Sequence, residues 1–177
     1  YRRLAEKASS HDNKVIANLG IMRANVALKQ WAEVKLSAAT LLSLGSLSDA
    51  EEKEATLNRA IANAHLGNTK EAEADYSVLA KDVRSESGAR AAYELAKLQY
   101  EAGSLKTCEK TLNKFIDEGT SHQYWLAKAF ILLADVYHKQ GNDFEAREYL
   151  ESLKSNYPGK EQDIFDDIEQ RLKSRSE

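Results

Sequence analysis

"YHKQGNDFEAREYLESLKSNYP", residues 137–158, reads as a helix that stops and restarts within a few residues. His138 and Lys139 occupy a last helical turn, where positive charge meets the negative end of the helix dipole. Gly141 follows, the residue type that takes up a left-handed cap without strain. Asn142 opens a second helix with Glu145 three residues on, the spacing of a capping box. The stretch predicts a helical hairpin.

The same punctuation recurs upstream in "HLGNTKEAEADYSVLAKD" (65–82) and "YEAGSLKTCEKTLNKFIDE" (100–118). Five residues after each glycine stands a small side chain: Ala72, Cys108, Ala146. Four further on comes a large apolar one (Tyr76, Leu112, Leu150), and three beyond that another (Leu79, Phe115, Leu153). The glycines are 36 and 38 residues apart. A weaker copy, "LKQWAEVKLSAATLLSL" (28–44), lies another 38 residues upstream, with Lys29 where the glycine belongs. Seven residues before each glycine sit Ala60, Ala96 and Ala134, with Met22 in the first copy. Small side chains there let paired helix axes approach closely, and a leucine would overpack at a cost of about 1–3 kcal/mol. Ser48 with Glu51 and Asn68 with Glu71 read as further capping boxes, each cap contributing about 1 kcal/mol. Ser104 and Ser121 are expected to open further helices.

Composition agrees with an all-α chain. One proline and eight glycines in 177 residues leave few breaks, and no alternating β-branched run is present. A net charge of −3 with interleaved signs offers no basic stripe, which argues against nucleic acid as a partner. No stretch approaches the roughly 18 apolar residues of a membrane span, so direct membrane insertion is not expected. Cys108 stands alone, so no disulfide framework or thiolate metal site is expected.

The in-phase pattern over residues 13–158 resembles the tetratricopeptide repeat family, whose units of about 34 residues are helix–turn–helix hairpins. In the last copy the matching residues are Phe130, Leu133, Ala134, Tyr137, Gly141, Ala146, Leu150, Leu153 and Pro158. The departures are the longer spacing and the first copy, which lacks the glycine and the small residue. Within the family, "YWLAKAFILLADVYHKQGNDFEAREYLESL" (124–153) looks most like bacterial cell-envelope members. That likeness implies the periplasm or cell envelope of a Gram-negative bacterium, with the cytoplasm as the alternative. The resemblance implies an α-α superhelix of four hairpins, at 13–45, 48–83, 86–118 and 121–158. Residues 1–10 align with a second helix ("YRRLAEKA" against "YSVLAKDV", 76–83) and are expected to be the leftover of a longer array. Residues 160–174 carry Ile164, Phe165, Ile168 and Leu172 on one face and read as a capping helix.

The resemblance also implies a concave groove lined by the first helix of each hairpin. By family phase its candidate partner-binding residues are Arg23, Leu57, Asn58 and Ile61, then Arg90, Tyr93, Lys97 and Tyr100, then Lys128, Ile131, Asp135 and His138. Tyr93 and Tyr100, two turns apart, either anchor a peptide or seal neighbouring hairpins. The chaperone-tail clamp of some family members does not carry over, because Leu19, Arg23, Leu57 and Ile61 occupy or adjoin its positions. Asp135 and His138 share a turn but lack further metal ligands nearby, and Cys108 fills a packing slot. No phosphate loop, nucleophile elbow or zinc motif is present, which points away from an enzyme and offers no cofactor site. The expectation is a noncatalytic scaffold for a protein or peptide partner. Its rival is a spacer or self-association module, which would give a homo-oligomer.

Overall fold

The computed structural model describes residues 10–174. Among the described residues the secondary structure is helical, with no strand. The helices are α1 (His11–Ala27), α2 (Trp31–Leu44), α3 (Asp49–His65), α4 (Thr69–Leu79), α5 (Glu86–Glu101), α6 (Leu105–Glu118), α7 (Gln123–Lys139), α8 (Asp143–Asn156) and α9 (Gln162–Ser174). They pack in adjacent pairs, as a tetratricopeptide-like array requires. The leftover helix expected over 1–10 lies outside the described residues, apart from Ser10, whose hydroxyl caps α1. The chain divides after Leu79 into two compact units.

All four hairpin turns close by the same backbone device. The N–H groups of Gln30, Asn68, Ser104 and Asn142 donate to the carbonyls of Asn25, Asn63, Gln99 and Tyr137, at 2.8–2.9 Å. Those of Lys29, Gly67, Gly103 and Gly141 donate to the carbonyl three residues back, completing a Schellman cap. The cap needs a left-handed residue, and Gly67, Gly103 and Gly141 supply it at φ 74 to 83°. Lys29 is held in the same region at φ 54°. Left-handed backbone costs a side-chain-bearing residue about 1–2 kcal/mol, while glycine loses somewhat more chain entropy on folding. Lys29→Gly is therefore expected to stabilise the chain by about 0.5–1 kcal/mol, seen as a higher thermal unfolding midpoint. A lower midpoint would show that the lysine side chain contributes more than its strain.

The helix starts divide into two groups. Ser48 and Glu51 form the full capping box, and Ser10 and Ser85 also accept from the backbone N–H three residues on. Ser104 and Asn142 make no side-chain cap, and Asn68 turns its amide to the Asn63 side chain. The reason is geometric. A capping side chain needs extended backbone, and the three serines have ψ of 149–157°. Ser104 and Asn142 double as the last residue of a Schellman turn, which holds ψ at 58° and 63°. Ser104 is the N-cap residue of α6, as expected, whereas Ser121 does not open α7: His122 is its N-cap residue, without a side-chain cap.

In the N-terminal unit α2 packs against both α1 and α3, α3 pairs with α4, and α1 touches α3 only lightly. Its core joins Val15, Leu19, Met22, Val34, Ala38 and Leu41 to Ala55 and Ala62. Met22, where the other copies have alanine, is fully buried. In the positions held elsewhere by a small and then a large side chain, this copy has Val34 and then Ala38, both fully buried. The first copy thus reverses the order of large and small residues while keeping the space filled. Arg59 joins α3 to α4 through two hydrogen bonds to Asp75 at 2.8 and 2.7 Å. Trp31 stacks on His65 at 4.0 Å between ring centroids.

In the C-terminal unit α5 lies beside α7, each paired with its own second helix, and α9 packs on both α7 and α8. Ala96, Cys108, Leu112, Phe115, Leu133 and Val136 form one cluster, and Ile131, Ala134, Leu150, Ile164 and Ile168 belong to another. Ala96 and Ala134 are fully buried, as close helix approach demands. The turn at 119–122 rests on the 82–84 segment, where Thr120 Oγ1 donates to the Val83 carbonyl at 2.7 Å.

Candidate partner-binding face

The expected groove residues of the N-terminal unit are largely committed to the fold. Leu57 and Ile61 are buried, at 7% and 8% exposure, and so belong to the interior instead of an open surface. Arg23 is exposed but forks onto Glu54 of α3, with two hydrogen bonds of 2.7 Å. Asn58 donates to the Glu54 carbonyl one turn back in its own helix. Each position reads as packing or pairing.

The C-terminal unit differs because α5 and α7 lie side by side. On α7, Tyr124, Lys128, Ile131 and Asp135 recur at helical spacing along one face, and α9 covers much of it. Tyr124 donates to Asp163 at 2.8 Å, and Lys128 reaches Asp163 and Asp167 at 3.0 and 2.8 Å. Asp135 accepts two bonds from Arg171 Nε at 2.8 and 2.9 Å, and Arg171 also pairs with Asp167. Ile131 lies beneath, only 2% exposed, in a cluster with Ile164 and Ile168. Lys128, Ile131 and Asp135 therefore meet the C-terminal helix, which corrects their expected place in an open groove. Burial works against the Lys128 charge, but hydrogen bonds to Asp167 and Asp163 outweigh it and raise its pKa.

On α5 the expected residues stay partly accessible. Tyr93 is half-buried, with its ring 5.8 Å from that of Trp125. Burial, and then the charge of Glu94, pushes its hydroxyl pKa up to about 12. The Arg90 guanidinium stands 5.2 Å from the Trp125 ring centre. Its Nε is buried without a hydrogen-bond partner, and Glu94 lies 3.7 Å away. Lys97 is exposed, within 3.9 Å of Glu101. Tyr100 is half-buried beneath the Lys139 ammonium, 4.1 Å from its ring centre. Both tyrosines pack on the cluster that joins α5, α6 and α7, so they seal neighbouring hairpins while keeping an exposed edge.

Two further positions resolve simply. His138 is exposed and bonds Asp143 at the start of α8, whereas Asp135 turns to Arg171, so the two do not converge on one point. Cys108 is fully buried, and burial, then Glu109, pushes its thiol pKa up to about 12, which keeps it protonated. Sequence reasoning missed Tyr124, Trp125 and the α9 carboxylates. Tyr124 was findable, one helical turn before Lys128. The carboxylates were not, because their partners lie nearly forty residues away along the chain.

The Asp163–Lys128 pair is expected to make α9 acid-sensitive. Hydrogen bonding to Lys128 lowers the Asp163 pKa below its ordinary 3.8, against a smaller effect of burial. A carboxyl depressed in the folded state adds stability that is present above its unfolded pKa and lost as pH falls through the folded one. Docking of α9 is therefore expected to loosen below about pH 4, measured as faster amide exchange over 162–174. Asp163→Asn should remove part of that pH dependence.

No curated protein matches the chain. Residues 123–160, the α7–α8 hairpin and the turn after it, match the tetratricopeptide repeat family and support a place for this chain among tetratricopeptide repeat proteins.

Proposed function

We propose that the chain is a noncatalytic protein-interaction scaffold whose C-terminal unit takes a partner peptide across α5 and α7. The tetratricopeptide match supports the scaffold role. One observation supports this particular face: α5 and α7 lie side by side and present the half-buried aromatics Tyr93 and Trp125 beside Arg90 and the exposed Lys97. Half-buried rings on a rigid helical face offer large contact area at small entropy cost. The polar surroundings fit an affinity of about −8 kcal/mol, on the order of micromolar.

The test is peptide selection from a display library on the full chain, followed by titration of a selected peptide. Tyr93→Ala is expected to weaken binding about tenfold with helical content unchanged, and Tyr93→Phe to restore most of it. Equal binding by all three proteins would remove this face from consideration. Light scattering is expected to show a monomer; a defined oligomer would favour a self-association module. The likeness of residues 124–153 to cell-envelope members extends the proposal to a periplasmic setting, testable by fractionating cells of the source organism.

A further inference from the structure

Beside the proposed peptide face, the N-terminal ends of α5 and α7 and the turn before α9 surround an open hollow of about 610 Å³. Its walls include Tyr124, Trp125 and Tyr157, and the charged residues that line it are Glu86 and Glu161. Neither lysine nor arginine is among the lining residues. We propose that this hollow receives the cationic side chain, arginine or lysine, of a basic peptide lying on the α5–α7 face. The inference rests on the peptide-binding proposal and specifies the partner's chemistry.

Three features favour a cation. Aromatic faces attract cations through their ring quadrupoles, and this unit already uses them so: Arg90 lies near Trp125, and Lys128 stands 5.5 Å from the Tyr124 ring centre. The Glu161 carboxylate is oriented by the Tyr157 hydroxyl, which donates to it at 2.7 Å, and that bond lowers its pKa. It is therefore charged at neutral pH. The adjoining row on α7 and α9 also has more acid than base, with Asp135, Asp163 and Asp167 against Lys128 and Arg171. Opposing this, the lining residues lie at the starts of α5 and α7 and just before α9, and a helix N-terminus is equivalent to about half a positive charge. Arg90, beside Trp125, is matched by Glu94 at 3.7 Å, and the two glutamates with the surplus carboxylate exceed the sum of the helix ends. The balance stays negative and selects a basic partner.

Two measurements test the inference on the full chain. A random seven-residue display library is expected to enrich arginine and lysine. In the Trp31→Phe background Trp125 is the remaining tryptophan, and acetyl-Gly-Arg-Gly-amide is expected to change its emission saturably. The citrulline counterpart, which keeps the shape without the charge, should do so about tenfold less well. Glu86→Gln with Glu161→Gln, both at exposed positions, should weaken the arginine peptide about tenfold and leave the circular dichroism unchanged. Enriched peptides without basic residues, or an arginine peptide indifferent to the double substitution, would overturn the cation hollow and leave peptide binding on α5–α7 standing. A library that enriches nothing would remove both.

Discussion

Met22→Ala lowers the stability of the N-terminal unit by about 2–5 kcal/mol, although it restores the small residue found in the other three copies. Family phase alone makes the opposite forecast, since a large side chain in a close-approach slot should overpack. The structure removes that objection. Met22 is fully buried, and the residues that follow in the same copy are rearranged around it, with Val34 and Ala38 reversing the usual order of size. Truncation leaves a cavity that Ala38 is too small to fill. Chemical denaturation of the variant and the parent decides the matter. An unchanged or raised midpoint would mean that α1 and α2 collapse to close the void.

Replacing Ile168 with aspartate is the second large effect. Ile168 is fully buried in a cluster with Ile131, Ala134, Leu150 and Ile164. A carboxylate there has no partner and either stays unpaired at a cost of several kcal/mol or drives α9 off the unit. Detachment is the cheaper course, because α9 is held by one apolar stripe and by ion pairs to α7 and α8. Hydrogen exchange should show residues 162–174 losing protection, while α1 to α4 retain theirs. Ile131 would become accessible at the same time, so binding of apolar dyes is expected to rise. Full protection of α9 in this variant would show that the ion pairs suffice to hold it.

The comparison of sequence and structure turns on the range of the interactions. The four turns were legible because a Schellman cap is local. Its hydrogen bonds span five residues, and its demand for left-handed backbone selects glycine directly. Even the exception at Lys29 was visible, as a lysine standing where the spacing calls for glycine. The buried slots at Ala60, Ala96 and Ala134 were legible for a related reason, since burial on a helix follows its 3.6-residue period. The capping box at Asn142 was misread because one residue belongs to two motifs, and the turn's backbone angle excludes the side-chain cap.

The candidate site was less legible than the fold. Leu57, Ile61 and Ile131 sit on first helices at family groove positions, yet exposure depends on what packs above them. For Ile131 the cover is α9, more than thirty residues downstream. Local pattern and periodicity therefore determined the helices, their turns and their buried stripes, because those follow from backbone geometry within one or two turns of chain. Which faces stay open to a partner was decided by contacts between distant segments, since accessibility belongs to the assembled surface and to no single helix.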